Sequence, residues 1–209
     1  MAPHDSVHIE SEPLPVSLDP ARQGIAASVG AAAAILRGPL GLTTAVWCTS
    51  FLDGATGQSL APVLAITPRT VQGLVGVVGS PLVHISLSHL LNNTYPLLVA
   101  GSLVAASGPG KFRDVTVLSV LTSGLGVWAN ESGTAIGASG LAYGYIGYSM
   151  ARGLFDRRPQ QLALSAISAL LFLGTLPGLL PGPPGVSWLA HLFGFSGGLV
   201  AAALLPREP

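Results

Sequence analysis

Residues 136–147 read Ile136-Gly137-Ala138-Ser139-Gly140-Leu141-Ala142-Tyr143-Gly144-Tyr145-Ile146-Gly147, an apolar stretch in which a glycine returns every three or four residues. That spacing lines the glycines along one side of a helix, where a missing side chain lets a second helix backbone approach. Close backbone packing of this kind is a device of membrane bundles, so the stretch points to an all-α integral membrane fold. Ser139 is the polar group set among the glycines, and it needs an explanation of its own.

Composition agrees with the stretch. Of 209 residues, 49% are hydrophobic and 9% charged, with a mean hydropathy of +0.61, whereas soluble domains carry about a quarter charged residues. The 27 glycines and 17 prolines do not make a low-complexity chain, because most glycines lie inside apolar runs. Nine Lys plus Arg with zero formal net charge give no basic stripe for phosphates, so no nucleic-acid partner is expected. The single cysteine, Cys48, supplies no disulfide framework and is expected as a small core residue.

Working outward, apolar runs fall at residues 31–52, 84–106, 115–129, 136–154, 161–180 and 186–205. Most approach the ~20 residues that cross a bilayer, which predicts a six-transmembrane-helix bundle. Charge placement offers an independent check, because Lys and Arg gather in short cytoplasmic loops. With the N-terminus inside, six spans put Arg22, Arg37, Lys111, Arg113, Arg152, Arg157, Arg158 and Arg207 on or near the cytoplasmic side. Only Arg69 falls outside. Arg37 is expected to snorkel toward the headgroups.

Residues 1–24 are polar and lack the basic-then-apolar order of a cleavable signal peptide. They are expected to form a disordered cytoplasmic tail, with His4 and His8 carrying no metal. Residues 25–205 form the membrane domain and 206–209 a second cytoplasmic tail. Within the domain, residues 53–83 are broken by Pro62, Pro68 and Pro81 and are expected as short interfacial helices. Residues 177–185, Pro-Gly-Leu-Leu-Pro-Gly-Pro-Pro-Gly, are expected not to continue a helix and to act as a mobile cover.

Polar residues inside apolar spans are functional candidates by default. His84, His89 and Asn93 lie in the second run, Ser139 in the fourth and His191 in the sixth. These three spans run inward from the outer face, and each polar group sits near the start of its span, so all share one depth in the outer leaflet. A serine hydroxyl needs a base to become a nucleophile at neutral pH, and histidine is the usual one; Ser139 and His191 can supply that pair. The alternative is that each simply bonds a nearby backbone group. Gly137, Gly140, Gly144, Gly194 and Gly198 favour the pair, because they let the two helices pack closely.

His89 and Asn93 are four residues apart, about 40° around a helix, and share a face. Together with the Ser139 N–H they can serve an oxyanion. His84, roughly 140° from His89 around the helix, is given a supporting role toward the interfacial loop. There is no HExxH zinc pair and no GxSxG elbow. With Asp114 and Asp156 on the wrong side, only the loop residues Asp53 and Glu131 remain as acids, so a Ser-His dyad is expected.

This set resembles the rhomboid family of intramembrane serine proteases. The matching residues are His84, His89 and Asn93 as HxxxxHxxxN, Gly137 to Gly140 as GxSG, and His191, Gly194 and Gly198 as HxxGxxxG. The resemblance implies that Ser139 attacks the substrate carbonyl, that His191 is base and then acid, and that His89 and Asn93 line the oxyanion hole. Tyr143 matches the family tyrosine that packs beneath the histidine. Ile66-Thr67-Pro68-Arg69 looks like the first-loop version of many actinobacterial members, and the Trp-Arg pair of other members is absent.

The resemblance further implies a multi-pass protein of the cell membrane, both termini cytoplasmic, with the site toward the outer face and a lipid-facing opening near span five. The implied partners are single-span membrane protein substrates and the lipid bilayer. No cofactor and no metal are expected, and the sequence assigns no oligomeric state. The rival readings are a rhomboid-like pseudoenzyme that binds or escorts membrane proteins, and a small transporter with a polar outer cavity. The transporter would place paired charges along a crossing path through the inner halves of spans two, four and six, and no such pair is read there.

Overall fold

The computed structural model describes residues 20–108 and 110–206, with the side chains of residues 20–23, 25 and 26 set aside. The expectations for His4, His8, Arg22, Arg207 and most of both tails therefore lie outside the described residues. The chain divides into a unit of residues 1–33 and a compact unit of residues 34–209.

The described elements are helical: α1 (Pro20–Ala55), α2 (Ala61–Leu64), α3 (Val71–Gly79), α4 (Leu87–Ala106), α5 (Lys111–Asn130), α6 (Ser139–Phe155), α7 (Pro159–Phe172) and α8 (Trp188–Leu204). Two 3₁₀ segments, Ser80–Leu82 and Leu173–Leu179, precede α4 and extend α7. Hydroxyl side chains start three of the helices. Thr70 accepts from the Gly73 N–H at 3.0 Å, Ser86 from the His89 N–H at 3.1 Å and Ser187 from the Ala190 N–H at 3.2 Å. Each satisfies one of the N–H groups that a helix start leaves unpaired.

Each of the six apolar runs corresponds to one long helix, and residues 53–83 form the expected short helices. Among the described residues, length and composition alone make two helical stretches long and apolar enough to cross a membrane, Ala27–Ala55 of α1 and Pro159–Leu179 of α7 with its extension, with Val71–Leu82 and Leu87–Ala106, bent by 76°, as a third candidate. For α6 and α8 the shortfall is geometric, since they have 17 residues each, roughly 25 Å at 1.5 Å per residue, against a ~30 Å hydrocarbon core; α5 has 20 residues and is the less apolar for Lys111, Arg113 and Asp114 in its first turn.

Several expectations need correction. α1 begins at Pro20, eleven positions ahead of the apolar run, because alanine-rich sequence stays helical after apolarity fades. Cys48 is exposed; a helix that faces lipid is apolar on its outside, so an apolar setting did not mean the interior. Residues 177–179 do continue α7, as a 3₁₀ turn with Pro177 inside it, since the shorter repeat tolerates a break in the α-helical ladder.

α6 is buried on nearly every side and packs most extensively on α8, with α4, α5 and α7 around it. The glycine spacing explains how. A Cβ on Gly194 would collide with the Gly140 carbonyl oxygen, and one on Gly198 with that of Gly144. Around this contact lie Leu97, Ala100, Val104, Tyr145, Ile146 and Phe172.

The C-terminal end of α6 is polar. Arg152, 1% exposed, donates to the carbonyls of Ala202, Leu205 and Pro206 at 2.8–2.9 Å, and Lys111 donates to Pro206 at 2.8 Å. Both cations complement the carbonyl end of α8. Asp156 lies 3.4 Å from Arg152 and 2.8 Å from Arg158.

Candidate active site

The N-terminal turns of α4, α6 and α8 converge on one cavity of about 550 Å³, lined among others by His89, Asn93, Ser139, Tyr143 and His191. Helix starts carry unpaired N–H groups and the positive end of the helix dipole. Three of them meeting at one cavity create a setting that favours negative charge on a bound oxygen.

Ser139 is the first residue of α6, where the fourth apolar run placed it a few residues inside a helix. The turn is made at Gly137, whose φ of 111° suits glycine alone, and a Cβ there would also strike the His89 ring. The Gly137 N–H is held by the Ser80 carbonyl at 2.8 Å. Ser139 Oγ lies 2.9 Å from His191 Nε2, and His191 Nδ1 lies 2.9 Å from the Gly178 carbonyl oxygen. A carbonyl only accepts, so Nδ1 carries the ring proton and Nε2 is left to accept from the serine hydroxyl. The histidine is thus oriented by a backbone carbonyl rather than by an acid.

Tyr143, one turn beyond Ser139, stacks on His191 with ring centroids 4.2 Å apart and 13° between planes. Its hydroxyl donates to the Thr175 carbonyl at 2.7 Å. The two acids expected in loops are occupied elsewhere: Asp53, which the structure places in the last turn of α1 rather than in a loop, accepts from the N–H groups of Leu60 and Ala61 at 2.8 and 3.1 Å, and Glu131, just after α5, accepts from the Ser187 hydroxyl at 2.9 Å.

Asn93 is buried and gives one amide hydrogen to the His89 carbonyl at 3.1 Å. The amide nitrogen has a second hydrogen. His89 borders the cavity, and its Nδ1 is buried with no partner among the described residues.

His84 departs from expectation. It precedes α4 rather than lying in it, and instead of bonding the interfacial loop it meets Ser50 of α1 at 3.1 Å through Nδ1. Its Nε2 accepts from the Ala138 N–H at 3.3 Å, and its ring stands edge-on to His89 at 4.9 Å. The turn before Ser139 is thereby held from α1. Gly140 lies against Ser123, whose hydroxyl donates to the Ala190 carbonyl at 3.0 Å, joining α5 to the start of α8.

The carbonyls of Gly178 and Thr175 were missed by side-chain reasoning, since a backbone acceptor leaves no mark on residue identity. Ser50 gave no signal either, being one hydroxyl in a long apolar helix.

A Rhomboid domain model matches residues 71–208, and the chain belongs to the Rhomboid family, whose members are in general intramembrane serine proteases. An uncharacterized protein of Mycobacterium tuberculosis (strain ATCC 25618 / H37Rv) is 35% identical over 170 residues, covering 77% of this chain and 70% of its own length. A Mycobacterium bovis protein, also uncharacterized, matches to the same extent. One from Mycobacterium leprae is 35% identical over 142 residues, 63% of this chain and 56% of its own length.

Proposed function

We propose that this chain is an intramembrane serine endopeptidase that cleaves single-span membrane proteins with a Ser139–His191 dyad. The observation that carries the reading is the 2.9 Å contact between Ser139 Oγ and His191 Nε2, with the imidazole held on its far side by Gly178. A binding or escort protein has no need of a hydroxyl aimed at the accepting nitrogen of an oriented imidazole.

In this reading Ser139 Oγ attacks the scissile carbonyl carbon while its proton passes to His191 Nε2. The imidazolium that forms keeps its Nδ1–H on the Gly178 carbonyl. The oxyanion is met by the Ser139 N–H at the start of α6, by the second amide hydrogen of Asn93 and by His89. Collapse expels the amine, which takes the proton from Nε2 and leaves an acyl-serine. Water then attacks this ester with His191 again as base, releasing the carboxylate and restoring the hydroxyl.

Six crossings with the N-terminus inside accompany this proposal. They rest on the one-sided Lys and Arg and on the placement of Arg152 and Lys111 at the end of α6–α8 away from the cavity. The site then lies in the outer half of the cell membrane, and large exposed side chains such as Leu170 and Leu204 meet lipid.

A fluorophosphonate probe tests the nucleophile directly. The wild-type protein in detergent is expected to be labelled on the peptide containing Ser139, and Ser139→Ala to stay unlabelled. Equal labelling of both would overturn the assignment.

A further inference from the structure

The 3₁₀ segment Leu173–Leu179 makes two bonds to the pair's surroundings. The Thr175 carbonyl accepts the Tyr143 hydroxyl at 2.7 Å, and three residues later the Gly178 carbonyl faces His191 Nδ1 at 2.9 Å. In a 3₁₀ helix residues i and i+3 lie one above the other on the same side, so both carbonyls belong to one edge of the segment. Between them Tyr143 stacks on His191, and the tyrosine ring, the imidazole and the segment form a closed arrangement.

The rest of α7 is anchored separately. Ser149 and Ser168 share a hydrogen bond at 2.7 Å, Ser165 donates to the Ser149 carbonyl at 2.7 Å, and the Gly153 N–H donates to Ser165 at 2.8 Å. These bonds fix the α-helical part to α6. The 3₁₀ extension begins where Phe172 leaves α geometry, at φ −122° and ψ 0°. Its outer edge is held to α6 and α8 through the tyrosine and histidine bonds just named.

We propose that the Leu173–Leu179 segment is the positioning element of the dyad: the Gly178 carbonyl sets the tautomer and direction of His191, and the Tyr143–Thr175 bond keeps that carbonyl in register. Resting on the dyad reading, it adds what replaces an orienting acid. It also makes displacement of this segment and disarming of the base one event.

A steric feature makes the test sharp. A Cβ on Gly178 would collide with the Tyr143 hydroxyl oxygen, so in Gly178→Ala either the segment or the Tyr143 ring stacked on His191 must shift, whereas removing that oxygen relieves the contact. Gly178→Ala is expected to lower kcat by about tenfold or more, since an imidazole in the wrong tautomer cannot accept the serine proton, with KM and the thermal midpoint little changed. Tyr143→Phe alone keeps the stacked ring and loses only the bond to Thr175, so a smaller loss is expected. The double variant Tyr143→Phe with Gly178→Ala is expected to recover most of the kcat lost in Gly178→Ala.

Ring ¹⁵N spectra of histidine-labelled protein at pH 8 give a readout independent of cleavage. Wild type is expected to show His191 protonated on Nδ1, Gly178→Ala a mixture of tautomers, and the double variant the wild-type pattern. A wild-type ring protonated on Nε2, or a tautomer and kcat indifferent to Gly178→Ala, would overturn the proposal. Absence of cleavage by wild type, with the tautomer responding as described, would instead overturn the protease reading and leave the positioning role standing.

Discussion

The ring of Tyr143 lies nearly parallel to that of His191, 13° between planes and 4.2 Å between centroids, with the two residues supplied by α6 and α8. Two flat surfaces at that separation restrict the imidazole to rotation within its own plane. Such a contact is worth about 0.5–1.5 kcal/mol beyond area burial, and its larger effect is on orientation. Tyr143→Ala should therefore reduce kcat more than Tyr143→Phe, which preserves the ring. Turnover of the two variants at saturating substrate checks this order.

Asn93 has one amide hydrogen on the His89 carbonyl and a second for the oxyanion. Loss of one such donor typically costs about 10²-fold in kcat, so Asn93→Ala should fall by that order with little change in KM. An unchanged kcat would remove Asn93 from the oxyanion hole.

The Ser139–His191 distance depends on how closely α6 and α8 approach, and that depends on Gly194 against Gly140. Gly194→Val should spread the helices, lower stability by about 1–3 kcal/mol as overpacking does, and abolish fluorophosphonate labelling even in the fraction that stays folded. Thermal unfolding in detergent followed by labelling separates the two effects.

Arg152 is a buried cation that three carbonyls and Asp156 neutralise. After its removal Arg158 still pairs with Asp156, but the carbonyls of Ala202, Leu205 and Pro206 lose their buried donor, so Arg152→Met should cost about 1–3 kcal/mol, the usual penalty for leaving buried polar groups unsatisfied. Cleavage by the surviving folded protein should be unaffected, because the cluster sits at the far end of α6.

Asp156 follows α6, outside the span, and the hydrogen bond from Arg158 holds its carboxyl below the ordinary carboxylate range. A group depressed in the folded state binds its proton more readily when unfolded. Its contribution is therefore full above about pH 4, the unfolded value, and disappears as pH falls through the folded value. Acid unfolding of wild type should accordingly depend more steeply on pH below 4 than that of Asp156→Asn. Parallel curves for the two would contradict this.

What could be read in advance follows from which physical signals side chains carry. Apolar periodicity exposed the six long helices, and the glycines at 140, 144, 194 and 198 announced the α6–α8 contact because only a missing Cβ permits it. Ser139 and His191 were legible as polar groups at matching depth. Gly178 was not, because a carbonyl is common to every residue and the Pro-Gly composition around it signalled only a break in regular helix. Similarly, His84 was visible as a histidine, but its partner Ser50 depends on how α1 packs, and its partner the Ala138 N–H is a backbone group that residue identity does not mark. Cys48 misled because apolar surroundings in a membrane describe the outside of a helix as well as its core.

The central claim is that Ser139 and His191 perform peptide-bond cleavage. The most direct measurement is cleavage of a single-span model substrate by purified protein in proteoliposomes, with wild type and Ser139→Ala compared side by side. The account predicts a discrete cut by the wild type and none by Ser139→Ala; equal cleavage by both would contradict it.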